Sequence, residues 1–179
     1  MSRVSWLAVG AFWAMATIPG PAWSETTPKT PREAAIAVLA NAKQIYQKVC
    51  EASPLPGATV LPAAVEVRLG RALIVTSDIL TKADDRELAT ALIDFVAVSE
   101  CSSNRAPALT MARIFRARPD AIQSAIEAVP TAQRCNVVGQ LDWGWRNDFL
   151  PAPTATGVST DRDARLRKLK ATVPAKCTR

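Results

Sequence analysis

The sequence predicts an all-α fold: a single small disulfide-stapled helical bundle, or an irregular stack of antiparallel helix pairs, with six to seven helices. Three observations predict it. Apolar residues recur at steps of three and four along most of the chain, the period of a helix with one buried face. Capping residues and prolines stand where these periods begin. The most strand-like run, Leu73-Ile74-Val75, lies inside a helical period with no turn signal on either side.

The chain opens with a leader. Arg3 and the amino terminus are positive, and residues 4–18 are apolar apart from Ser5, Gly10 and Thr17. Pro19-Gly20-Pro21 then breaks any helix, since proline lacks the amide donor and glycine is entropically costly. Ala22-Trp23-Ser24 puts small residues at the two positions a signal peptidase reads. Residues 1–24 are therefore expected to be a cleavable secretory signal, cut before Glu25. The rival, an uncleaved anchor, would want roughly 20 apolar residues, and this stretch has 15. No cysteine near the cut suggests a lipid anchor, and no later apolar run is long enough to span a bilayer, so no transmembrane segment is expected after cleavage.

Beyond the leader, Thr30-Pro31-Arg32-Glu33 is a helix start in which threonine caps, proline occupies the first position and glutamate closes a capping box. Ile36, Leu39, Ala42, Tyr46 and Val49 continue that helix to about Ala52. A Pro/Gly loop follows at residues 53–57. A second helix begins near Pro62, with Val65, Leu69, Leu73, Ile79 and Leu80 inward, and stops near Lys82. Asp84 followed by Glu87 signals a third start, with Leu88, Ala91, Leu92 and Phe95 inside, ending at Cys101-Ser102-Ser103-Asn104. Shorter helices then follow around Leu109–Phe115, Ala121–Val129 and Val137–Leu141, bounded by Pro119 and Pro130. Pro151, Pro153, Thr154 and Gly157 make a linker, and Thr160-Asp161-Arg162-Asp163 caps a last helix with acids first and bases later, as the helix dipole prefers. No repeat of fixed period is evident. The division expected is residues 25–150 as the helical domain and 151–179 as a linker plus a basic C-terminal helix docked by a disulfide.

The charge is unevenly placed. Residues 25–150 hold 14 basic and 14 acidic side chains, whereas residues 151–179 hold seven basic and two acidic. Cysteine usage points to the same compartment as the leader. Cys50, Cys101, Cys135 and Cys177 all follow the cut, and an exported chain meets an oxidising environment, the periplasm or the outside of the cell. A zinc site is disfavoured: the chain has no histidine, and its cysteines are 51, 34 and 42 residues apart. Cys50 and Cys101 each end a helix, with one helix running back between them, so both fall at the same end of an up-down-up arrangement. The preferred pairing is Cys50–Cys101 and Cys135–Cys177. A closed loop of about 50 residues stabilises by roughly 3 to 4 kcal/mol on the chain-entropy account.

Motifs for catalysis are missing. Serine or cysteine nucleophiles commonly need a histidine base, and none exists. There is no Ser-x-x-Lys, no phosphate loop and no dinucleotide fingerprint. A carboxylate pair of the glycosidase kind remains the alternative. No cofactor and no metal is implied.

Two segments carry candidate binding chemistry. In Leu141-Asp142-Trp143-Gly144-Trp145-Arg146-Asn147-Asp148-Phe149-Leu150, three of the six aromatics after the leader stand together. Trp143, Trp145, Arg146 and Asn147 form the mixture that builds protein hot spots; the competing reading is a hydrophobic seal over the core. The second segment is the basic tail, represented by Arg165 and Lys168. Export argues against nucleic acid as its target and favours a protein or acidic envelope partner; the competing reading is a solvated helix with bases toward its C-terminus. The functional expectation is an exported, non-catalytic binding protein, of the build of periplasmic inhibitors, immunity-type proteins or envelope accessory proteins. The alternatives are an envelope hydrolase using a carboxylate pair and a structural subunit of an envelope assembly.

Overall fold

The computed structural model describes residues 30–52, 62–101, 103–148 and 159–178. The expected signal, the 53–57 loop and the linker prolines lie outside the described residues. Within them the chain forms seven α-helices: α1 (Pro31–Ala52), α2 (Ala63–Leu80), α3 (Arg86–Val98), α4 (Ala106–Ala117), α5 (Pro119–Ala128), α6 (Thr131–Asn147) and α7 (Ser159–Ala171), with a closing 3-10 turn at Ala175–Thr178. No strand occurs among the described residues. The fold is an all-helical, disulfide-stapled bundle.

Local chemistry sets the helix starts. At α1 the capping box forms in both directions: the Glu33 amide donates to Thr30 Oγ1 and the Thr30 amide donates to Glu33 Oε2, each at 3.1 Å. At α3 the cap is one residue later than expected. Asp85, with extended backbone, accepts from the Leu88 amide at 3.1 Å, while Asp84 is drawn off to Arg118 at 2.7 Å. Asp85 also receives the Arg32 guanidinium from α1, which fixes it at this position. α4 carries Pro107 and α5 carries Pro119 in the first turn, where a missing amide leaves no bond unmade. Arg118 alone separates these two helices, and its extended φ turns the chain. α7 begins at Ser159, so Thr160 falls inside its first turn.

Burial follows the periodicity. α3 lies at the centre, with Leu88, Leu92, Ile93, Phe95 and Val96 essentially inaccessible. On one side α1 and α2 pack against it, and Tyr46 meets Phe95 edge to face at 5.4 Å between ring centroids. On the other side stand α5 and α6, and α4 touches α2, α5 and α6. The α4/α6 crossing is close: a Cβ on Gly144 would overlap the Ala108 carbonyl oxygen and approach the Ala112 Cβ to 3.2 Å. Glycine costs a helix interior about 1 kcal/mol relative to alanine, and here the approach of a second backbone offsets it.

Two disulfides close the structure. Cys50, near the end of α1, joins Cys101, just beyond α3, with Cα atoms 5.4 Å apart; Cys135 on α6 joins Cys177 in the 3-10 turn at 5.2 Å. The first links the two helix ends that α2 brings back to one side of the bundle. The second ties the tail to the body. No described helix is long and apolar enough to cross a membrane.

Candidate functional site

The two candidate segments meet on one side of the molecule, where α6 supports α7. Trp143, Gly144 and Trp145 are successive residues of one helix, each turned by about 100° from the last. With Gly144 pressed on α4, the two indoles fall on opposite flanks of that contact. They do not form a joint face.

Trp145 turns to the core. Its ring meets Phe115 edge to face at 5.9 Å, and the Arg116 guanidinium lies 4.8 Å from its centroid. Arg116 also closes the end of α6: Nη2 donates to the Trp145 carbonyl at 2.6 Å, and Nη1 to the Asp148 carbonyl at 3.1 Å and to Asp148 Oδ2 at 3.0 Å. A cation over the last carbonyls of a helix is where the dipole favours one. Trp143 is half-buried under Arg105, whose guanidinium stands 5.3 Å from the ring centroid. Asn147 Nδ2 donates to the Trp143 carbonyl at 2.7 Å, a bond within its own helix. Both indoles are half-buried: Trp145 packs against the core, and Trp143 lies beneath Arg105.

Arg146 is engaged at Asp142. This carboxylate, 3 % exposed, has Arg146 Nη2 2.8 Å from Oδ2 and accepts a hydrogen bond from Lys170 Nζ at 2.8 Å on Oδ1. The Arg146 contact is an ion pair out of line for a hydrogen bond, so Oδ2 is left without an aligned donor. Burying a carboxylate is costly unless it is paired, and here one cation comes from α6 and the other from α7. The pair thus acts as a peg between tail and body.

Further contacts fix α7. Leu166, Leu169 and Val173 are buried. Arg165 pairs with Asp120 on α5 and with Asp161 at 3.0 Å on its own helix; these carboxylates, Asp120 foremost, raise its pKa above the usual value. The tail backbone also comes close to α6, since a Cβ on Gly139 would overlap the Cys177 carbonyl oxygen. The bases not used inward, Arg167, Lys168 and Lys176, are exposed and line the outer side of the tail.

Of the six residues singled out in the sequence, Arg146 and Arg165 act in ion pairs, Asn147 bonds within its own helix, Trp145 packs on the core, Trp143 is half-buried beneath Arg105 and Lys168 is exposed. Sequence reasoning missed two separate ionic sets, Asp142 with Lys170 and Arg146, and Asp148 with Arg116. Gly139, a glycine in mid-helix, was the one legible sign that something approaches α6 there.

Grooves lie elsewhere among the described residues. One of about 770 Å³ runs between α1 and α3, where Lys43 and Asp94 pair at 2.8 Å, with Arg86, Glu87 and Thr90 on its rim. Among the described residues no group of three or more cysteine or carboxylate side chains is placed to hold a metal ion. Comparisons with protein-family models, with curated proteins and with solved structures found no match.

Proposed function

We propose that this chain is an exported interaction protein that docks an acidic protein partner through the exposed bases of α7 and of the 3-10 turn that follows it. The observation that carries the reading is the rigid mounting of these bases. A solvated basic tail would need no disulfide, no buried leucine pair and no ion-paired lysine beneath it. Here Cys135–Cys177, Leu166, Leu169 and the Lys170–Asp142 contact all hold the helix down, and Arg167, Lys168 and Lys176 remain outward. A pre-ordered set of charges loses less entropy on binding than a flexible one and steers an oppositely charged partner at long range. Disulfides are compatible with the oxidising compartment that the leader predicts. The carboxylate-pair alternative is less well supported, because Asp142 and Asp148, the two most enclosed carboxylates of this region, are occupied by cations.

The test is capture of envelope proteins on the immobilised oxidised chain, with photo-crosslinking from position 168 to identify what is bound. Arg167→Glu, Lys168→Glu and Lys176→Glu together should abolish capture of an acidic partner and leave the helical circular dichroism unchanged. Capture by the native chain should weaken steeply with salt. Retention of the same partner by the triple variant would refute the assignment to these bases.

A further inference from the structure

We infer that the chain forms a two-fold homodimer through the outer ridge of α2. Among the described residues the two large apolar side chains left exposed are Val67, at 55 %, and Ile74, at 71 %, and both lie on this helix. Seven residues apart, they share one face two turns from each other. Between them Gly70 has open space where a side chain would be. Beside this ridge, on the α1 side, runs a groove of about 300 Å³ lined by Ala34, Val38, Ala72 and Val75 together with Arg68 and Arg71.

The charges on the ridge choose the occupant. Arg71 and Asp78 flank Ile74, one turn before it and one turn after it. A two-fold axis beside Ile74 with antiparallel helices sets Arg71 of each copy against Asp78 of the other and packs the two Ile74 side chains together. The same register lays the aliphatic stem of Lys82 over the second copy's Val67, an arrangement long basic side chains favour. Arg71 has no partner among the described residues, and Asp78 pairs only with the neighbouring Lys82, both 64 to 71 % exposed. The pattern is complementary to itself, which a groove for an unrelated protein has no reason to be. One helix ridge with a short groove buries less than a standard interface of roughly 1,600 Å², so the dimer is expected to be weak.

Sedimentation equilibrium of the oxidised chain from about 10 µM to about 1 mM tests this. The native chain should show a reversible monomer–dimer equilibrium. Ile74→Glu, at an exposed position that should leave folding intact, should weaken it about 100-fold, since each copy loses a buried aliphatic contact and gains a buried charge. Arg71→Asp and Asp78→Arg should each weaken it about tenfold, and the double exchange should restore it to within about threefold. A native chain that stays monomeric to the top of the range overturns the proposal. So does a dimer indifferent to Ile74→Glu, or a double exchange no better than the single variants.

Discussion

Asp85 shows how much one side chain can be asked to do. It caps α3 through the Leu88 amide and anchors α1 through Arg32. The Arg32 hydrogen bond lowers its pKa below the ordinary 3.8, burial opposes that shift, and the Leu88 amide adds to it. The folded state thus binds the Asp85 proton less readily than the unfolded state. The stability this contributes is present above about pH 4 and is lost as pH falls through the lower, folded value. Asp85→Asn keeps a capping oxygen but not the charge. Urea midpoints of the native and Asn chains should therefore differ at pH 6 and converge on acidification below pH 3.8. A gap that stays constant down to pH 2 would show that Arg32 senses no charge there.

At the scale of the element, α7 is the revealing case. Its sequence is largely polar, with Leu166 and Leu169 as its buried residues, and an isolated helix of 13 residues is marginal in water. Its order comes from α6, directly through the Lys170–Asp142 peg and indirectly through the 3-10 turn that follows it, which the disulfide and the close approach at Gly139 hold down. Replacing Cys135 and Cys177 by serine should leave α1 to α6 folded and loosen the tail. Hydrogen exchange of amides 166–173 should speed by at least about tenfold while those of α3 hardly change. Unaltered exchange in α7 would mean that its apolar and ionic contacts suffice without the bond.

For the whole molecule, Cys50–Cys101 constrains the three helices that wrap the central core, closing a loop with a sequence separation of 51. On the chain-entropy account that loop contributes about 4 kcal/mol, a large share of the roughly 5 to 15 kcal/mol typical of a domain. Serine at both positions should lower the unfolding free energy by about that amount, read from guanidinium titration with the second disulfide intact. A loss below about 1 kcal/mol would place the stability of this half in its packing alone. The core of Tyr46, Phe95 and the α3 leucines is the reason such a variant should still fold.

Periodicity and caps by themselves determined the helical class and a count of six to seven helices, and chain reversal favoured the cysteine pairing that the structure shows, because each is a local property or a direct consequence of that reversal. The shift of the α3 cap from Asp84 to Asp85 already needed a neighbour, Arg32 from another helix. Tertiary structure alone decided the fate of the tryptophans, since adjacent-but-one residues of a helix must point apart once the glycine between them is pressed on α4. It also decided which bases are spent and which are displayed. Composition sums charge along the chain, but whether a lysine faces a buried carboxylate or open water depends on the helix packed beneath it.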